Sequence, residues 1–456
     1  MNRVIFHIDV NSAFLSWTAV DLLKSGRELD IRTVPSIIGG DVSKRHGVVL
    51  AKSVPAKKYG IQTGEPIVNA FRKCPSLLLE PPDHASYRAH SKEFIGFLSQ
   101  LCPDIEQVSI DECFMDYTSV ARQLSSQFAT PLAAAAYIKD SSRERFGFTV
   151  NVGISDCKIL AKMASDFQKP DLIHTLYHDE IQQKMWQLPV SSLFMCGKSS
   201  VDTLHKLEIN TIGELAQADL SILDAHLKSH GKMLWEYANG IDDSPVVTEP
   251  VKAKGIGNSI TLKQDALTRE DALPALLSLS ESVAFRLRQS GQLAGMLSTE
   301  IKYATFQSVS HQMLLPAPTC QSDLIYHTAC QLFDEIWDGS PIRLLGVRSA
   351  KLTEEGTPVQ MNLFDFTSAQ GIGDGLSPDC NADRSARRAP SSGSAPGSGF
   401  YRERTRTESD ALKRQKLDKA IDSIRTRFGK DAIVRGSLYK PTEGTNDAGR
   451  PANKKH

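Results

Sequence analysis

Residues 107–116 read QVSIDECFMD, and two carboxylates, Asp111 and Glu112, stand side by side in an otherwise apolar and β-branched run. Burying an unpaired carboxylate is costly, and two adjacent ones also repel each other. Neighbours in a flat strand point to opposite faces, so the two acids share a ligand only if the backbone turns at them. A hairpin bend meets that condition. Ile105 and Val108 before it and Phe114 and Met115 after it would hold the bend on a sheet, with a cation compensating the charges. A surface hairpin whose acids face water accounts for the same spacing.

A partner for the pair lies upstream. VIFHIDV (4–10) reads as a buried strand that ends at Asp9, and NSAFLSWTAVDLLKSG (11–26) reads as a helix capped by Asn11 or Ser12 and closed by Gly26. Asp9 at the end of one strand and Asp111 and Glu112 at a bend of another make a candidate three-carboxylate site. All-oxygen ligation with an open side suits Mg²⁺. Two such ions about 3.5 to 4 Å apart activate a hydroxyl and hold a phosphate leaving group during in-line displacement.

The length of 456 residues indicates about three domains. Residues 34–75 look like a small insertion with short β-type pieces and a helical PAKKYG. A helix carrying Tyr87, Phe94, Phe97 and Leu98, the hairpin, an alanine-rich helix over 131–145 and the strand FTVNVGIS follow. This alternation marks an α/β or α+β layer. Residues 171–244 read as helical, and 250–353 as a second mixed domain with strands near GIGNSITL, STEIKYATF and RLLGVRSAKL and helices near 270–290 and 322–337. The Gly, Ser, Pro and Arg composition of 367–408 marks a disordered linker. Beyond it, 409–440 reads as a basic helical tail with Leu417, Ile421, Ile424 and Phe428 along one apolar face.

The formal net charge is zero, so charge alone announces no nucleic-acid partner. From residue 367 onward, however, 18 Lys and Arg stand against 11 Asp and Glu. The eight cysteines show no CxxC pair and no zinc spacing, which argues against a disulfide framework or structural metal and fits reduced thiols. No stretch reaches the roughly 20 apolar residues of a membrane span, and the first apolar run is too short for a signal peptide. A cytoplasmic protein without a membrane partner is expected.

Three segments in this order, HIDVNSAF, VSIDECF and VGISDCKILAKMASDFQKPD, resemble the hallmarks of Y-family translesion DNA polymerases, most closely their bacterial DinB-like branch. The resemblance spans about residues 1–366. It implies an α+β multidomain, right-hand-like fold: a ferredoxin-like palm (1–33 and 76–170), small fingers (34–75), a helical thumb with a helix-hairpin-helix-like motif (171–244) and an α/β little finger (250–353). It maps the catalytic acids onto Asp9, Asp111 and Glu112, with the Val10 carbonyl as a further ligand of two Mg²⁺ ions. Phe14 falls on the steric gate that rejects a ribose 2′-hydroxyl, although on its own it reads more readily as a core helix residue.

Within SDCKILAKMASDFQK, Lys158, Lys162, Ser165 and Lys169 form one helical stripe, which alone would be a solvated face; the resemblance assigns Lys162 to the triphosphate. SVPAKKYG resembles the fingers motif Ser/Asn-Tyr-x-Ala-Arg, but with Val54 for the tyrosine and Lys57 for the arginine, so that any clamp on the triphosphate is monodentate. Asn11 stands where many relatives carry another acid. Gly197 and Lys198 open the thumb hairpin expected to hold a DNA phosphate, and Lys252, Lys254, Arg343 and Arg348 are candidate DNA contacts in the little finger. Gln360, Leu363 and Phe364 form a Gln-x-x-Leu-Phe peptide resembling the one that binds the bacterial sliding clamp, where Leu and Phe enter an apolar pocket. The partners so implied are primer-template DNA, dNTPs and the clamp, with the chain as a monomer.

Two other function classes compete. A non-catalytic polymerase-like accessory protein would lack the three acids. A nucleotidyl cyclase would carry more of its signature than Gly39-Gly40-Asp41, which lies in the insertion, away from Asp9.

Overall fold

The computed structural model describes residues 3–41, 47–249, 252–354, 356, 413, 416–429 and 432–433. Its contacts divide the chain into two units, 1–251 and 252–456.

In chain order the first unit begins with β1 (Ile5–Val10), α1 (Ala13–Lys24), β2 (Ser36–Gly39), β3 (Val49–Lys52), α2 (Val54–Lys57), α3 (Ile67–Lys73) and β4 (Leu78–Glu80). Then come α4 (His84–Leu101), β5 (Ile105–Gln107), β6 (Glu112–Asp116), α5 (Pro131–Ser141), β7 (Val150–Ser155), α6 (Lys158–Asp166) and β8 (Ile173–Thr175). The short helices α7 (Ile181–Lys184), α8 (Lys198–Lys206), α9 (Ile212–Ala216), α10 (Leu220–Leu227) and α11 (Ser229–Ala238) complete it.

The larger sheet runs β5-β6-β1-β7-β8, with β1 antiparallel to both neighbours. Because side chains alternate along a strand, β1 is two-faced. Phe6, Ile8 and Val10 join the core formed with Trp17, Tyr87, Phe94 and Phe148. Ile5 packs on the other side with Phe114 and Ala161 of α6. His7 and Asp9 share that side by alternation, as does Glu112 by its pairing with Asp9. Close approach of α6 depends on Gly153, where an added Cβ would lie 2.0 Å from the Ala161 carbonyl oxygen.

A small sheet, β3-β2-β4, has β2 antiparallel to β3 and parallel to β4. Two three-residue strands sit elsewhere than the sequence pattern suggests. β4 joins this small sheet although it lies beyond residue 75, and β8, inside the stretch expected to be helical, pairs with β7. Strands this short show too little alternation to be read. Helices α7 to α11 pack around Leu204, Ile212, Leu223 and Leu234 in a core shared with Ile159, Leu160 and Met163 of α6.

The second unit contains β9 (Gly255–Ala266), α12 (Arg269–Gln289), β10 (Gln292–Tyr303), β11 (Ser308–Thr319), α13 (Ser322–Ile336) and β12 (Ile342–Glu354). Its antiparallel sheet runs β11-β10-β12-β9. Leu297, Ile301, Leu345 and Val347 turn to the core with α12 and α13. The opposite sheet face carries Ser298, Glu300, Gly346 and Arg348. β11 is absent from the sequence reading because it is polar and holds Pro316 and Pro318. Prolines are tolerated on an edge strand, and β11 is one.

The tail helix is α14 (416–428). Leu417, Ile424 and Phe428 of its apolar stripe are 58%, 37% and 66% exposed. The helix meets the second unit through charge instead: Arg288 of α12 donates to Asp422 at 2.6 and 3.0 Å and to Asp418 at 3.2 Å, and Arg425 donates to Glu281 at 2.8 Å. Arg288 also donates to the Cys320 carbonyl and the Ser322 hydroxyl, so its fork is filled. Among the described residues no helix is long and apolar enough to cross a membrane.

Candidate active site

The bend at the opening motif is built by a serine. Residues 108–111 turn the chain between β5 and β6, and Glu112 is the first residue of β6. The Ser109 hydroxyl donates to Asp111 Oδ1 at 2.6 Å and accepts from the Asp111 and Glu112 amides at 3.3 and 3.2 Å. Gln107 Nε2 donates to the Ser109 carbonyl at 2.9 Å and to Ser91 Oγ at 3.1 Å, which ties the bend to α4. The sequence reading named neither Ser109 nor Gln107, although a serine two residues before an acid is a recognisable turn signal.

Register completes the placement. Asp9 sits directly opposite Glu112 on β1, and the Val10 amide donates to the Asp111 carbonyl at 2.9 Å. Asp9, Val10 and Asp111 line a cavity of about 430 Å³ with Ser12, Phe14, Lys52, Lys57, Thr63 and Lys169. A larger groove, about 1140 Å³, opens along α4 and β5 beside Arg88, Lys92 and Val108, but it contains none of the three acids.

Each acid is engaged by its own protein partner. Lys169 donates to Asp9 Oδ1 at 2.6 Å, Lys162 donates to Glu112 Oε2 at 2.6 Å, and Asp111 accepts from Ser109. Accordingly, no group of three or more His, Cys, Asp or Glu side chains is gathered at metal-binding distance among the described residues. The donor set nonetheless fits a hard divalent cation: three carboxylates and a main-chain carbonyl from two adjoining strands, all oxygen. Burial also leaves Asp9 short of positive charge. Its pKa is pushed up by desolvation, which outweighs the lowering effect of Lys169.

Glu112 differs. The His7 imidazole and then Lys162 hold its carboxyl down at about 2, against burial. Of the two, the 2.6 Å Lys162 contact is the better defined, because His7 Nε2 approaches to 3.4 Å without meeting hydrogen-bond geometry. His7 itself is fully buried, and desolvation lowers its pKa.

The stripe read as one helical face is broken: Lys162 lies on α6, but the helix ends at Asp166 and Lys169 follows in the turn beyond it. Lys162 is 9% exposed and sits beneath Glu112, outside the cavity, whereas Lys169 lines it. Lys57, at the end of α2, and Lys52 line the opposite wall, with Lys52 Nζ donating to the Ile61 carbonyl at 2.7 Å. Lys52 was not singled out in the sequence, because a lone lysine in a strand carries no signal. Val54 is half exposed. Phe14 presents its ring to the cavity and stacks on Tyr87 at 4.6 Å and 9°. Asn11 is buried, donating to Asn151 Oδ1 at 3.1 Å and accepting from the Asp171 amide at 2.9 Å, so the neutral side chain joins β1, β7 and the turn before β8.

The remaining candidates lie apart. Gly197 is the N-cap of α8, whose first residue is Lys198. Lys252 is exposed and paired with Glu354 at 2.7 Å, and Lys254 is exposed. Arg343 stacks over exposed Phe306 at 4.7 Å, and Arg348 lies on the open face of the sheet. Gln360, Leu363 and Phe364 fall outside the described residues.

Comparison with known proteins agrees with this geometry. The impB/mucB/samB family matches residues 8–166, and the C-terminal domain of the same family matches 253–363. DNA polymerase IV of Clostridium acetobutylicum is 44% identical over 97% of this chain and 100% of its own length. DNA polymerase IV of Clostridium kluyveri is 32% identical over 97% and 100%, and DNA polymerase IV 1 of Bacillus subtilis 34% over 80% and 86%. A solved Y-family DNA polymerase chimera superposes with a TM-score of 0.67 at 21% identity, covering 77% of this chain and 99% of the other. The fold is that of a Y-family polymerase. The chain belongs to the impB/mucB/samB family and is a DinB-like member of the Y family.

Proposed function

We propose that this protein is a template-directed DNA polymerase that adds dNTPs to a primer 3′-hydroxyl with low fidelity and copies past damaged bases. The observation that carries the reading is the pairing of Asp9 with Glu112 across β1 and β6, beside a bend that sets Asp111 on the same cavity. Asp9, Asp111, Glu112 and the Val10 carbonyl would hold two Mg²⁺ ions. When bound, these supply a lowered pKa for the primer hydroxyl and charge neutralisation for the departing pyrophosphate.

The chain's own groups do the rest. Lys57, Lys52 and Lys169 face the cavity as point charges suited to a triphosphate. Lys162, named for that role on sequence grounds, sits under Glu112 and acts by holding that carboxylate. Phe14, braced by Tyr87, closes the space a 2′-hydroxyl would need. Gly197, Lys198, Lys252, Lys254, Arg343 and Arg348 contact the DNA backbone, and Gln360, Leu363 and Phe364 recruit the sliding clamp. The protein works as a cytoplasmic monomer.

Primer extension with Mg²⁺, on intact and lesion-bearing templates with and without clamp, tests this. Asp111→Ala and Glu112→Ala are expected to lose extension by at least about a thousandfold while retaining DNA binding. Leu363→Ala with Phe364→Ala is expected to lose only the stimulation by clamp. Undiminished extension by either acid variant would refute the mechanism, and loss of basal activity in the peptide variant would refute the clamp assignment.

A further inference from the structure

His7 is the buried polar group that the chemistry above leaves unused. Its ring lies on the α6 side of β1, fully buried and edge-on to Phe114 at 4.8 Å. Its Nδ1 is 2.7 Å from the Ser165 hydroxyl. That hydroxyl is also 2.8 Å from the Lys162 carbonyl, and with its one hydrogen turned to Nδ1 it donates to His7. The neutral ring then carries its hydrogen on Nε2, and it cannot turn over without breaking the bond to α6.

The orientation aims the other nitrogen at Glu112. Nε2 lies 3.4 Å from Oε2 and has no hydrogen-bond partner of its own. Lys162 reaches the same oxygen at 2.6 Å, so two side chains converge on Oε2, while Oε1 has no hydrogen bond among the described residues. An orphaned buried polar atom costs stability, and those that persist in native proteins mark places where another demand prevails. Residues that orient a ligand carboxylate from behind are such a demand.

We propose that His7 is a positioning residue: held by Ser165, it forms the buried side of the seat for Glu112 Oε2 and so presents Oε1 as the oxygen offered to a divalent cation. This rests on the reading of Glu112 as a cation ligand. Asn and Gln separate the two ends of the ring. His7→Asn keeps a polar atom near Nδ1 and removes the one facing Glu112, whereas His7→Gln keeps a polar atom at the Nε2 position and gives up Ser165.

The readout is Mn²⁺ affinity, measured by electron paramagnetic resonance on the full chain with a dideoxy-terminated primer-template and dNTP, so that no turnover occurs. His7→Asn is expected to weaken Mn²⁺ about tenfold or more, the usual cost of losing a residue that orients a ligand, and His7→Gln distinctly less. Unchanged affinity in His7→Asn, or equal loss in both variants, overturns the proposal, the second outcome meaning that the ring only packs. Should His7→Asn fail to fold by circular dichroism, Ser165→Ala carries the test: freeing the ring is expected to weaken Mn²⁺ severalfold, and no change overturns the proposal. Glu112→Ala measured alongside tells which idea failed. If it binds Mn²⁺ like the parent protein, Glu112 is no ligand and both readings fall. If it loses the ion while the His7 variants do not, only the role of His7 falls.

Discussion

Phe14 is held by a stacked Tyr87, a contact worth about 0.5 to 1.5 kcal/mol beyond burial, so the ring closes the cavity without freedom to swing aside. Phe14→Ala is expected to raise ribonucleotide over deoxyribonucleotide incorporation on the order of 10- to 200-fold, the range for adding or removing a small steric element. The ratio of kcat/KM for rNTP and dNTP measures it. Asp9 and Glu112, facing each other across one register, titrate in opposite senses. Glu112 is held down at about 2, so its contribution to stability is full above the ordinary carboxylate pKa of 4.5 and is lost as pH falls toward 2. Asp9 is pushed up, so it favours the fold only when protonated and costs stability once pH rises through its folded value. Asp9→Asn is therefore expected to raise the melting temperature of the metal-free protein at neutral pH by a few degrees while abolishing extension. Calorimetry at pH 7 checks this, and an unchanged or lower melting point would show that the Lys169 contact dominates. At this scale the acids and Phe14 were legible in the sequence because they recur in short, spaced motifs. Lys169 was passed over for Lys162, because the sequence pattern runs one helix through both, whereas α6 ends at Asp166 and the turn beyond it brings Lys169 to the cavity.

Among the elements, β7 and α6 are separated by a single missing side chain. Gly153 admits the Ala161 carbonyl and the Ser165 amide, which an added Cβ would meet at 2.0 and 2.5 Å. Gly153→Ala must push α6 away from the sheet, and with it Lys162 and Ser165. A loss of stability of about 1 to 3 kcal/mol, the usual cost of overpacking, is expected in urea unfolding, together with reduced extension. Normal stability would mean that α6 slides at little cost. β1 and β7 were readable as β-branched runs buried almost throughout, and β10 and β12 as long segments with one face on a core. β4 and β8 are too short to carry a period, and β11 is an edge strand whose prolines and polar residues read as loop. For α14 the periodicity was present, but it did not say which face the rest of the unit would take. Amphipathicity states which residues share a face, and here it is the acidic face that meets an arginine on α12.

For the molecule as a whole, the attachment of the tail is ionic where the rest of the chain is held by apolar cores. Raising sodium chloride from 0.1 to 1 M shortens the Debye length from about 10 to about 3 Å, which weakens charge pairs that remain in part accessible to solvent. Hydrogen exchange over 416–428 is expected to accelerate by an order of magnitude or more across that range, while α12 stays protected. Equal protection of both helices at high salt would show that the tail is held otherwise. A short helix released in this way is marginal in water, and its residues are no longer constrained to show Leu417, Ile424 and Phe428 outward and Asp418 and Asp422 inward. The ionic strength of the surroundings thus chooses which chemistry the end of the chain displays: a greasy, fixed ridge in dilute buffer, and a freely turning polyelectrolyte in brine.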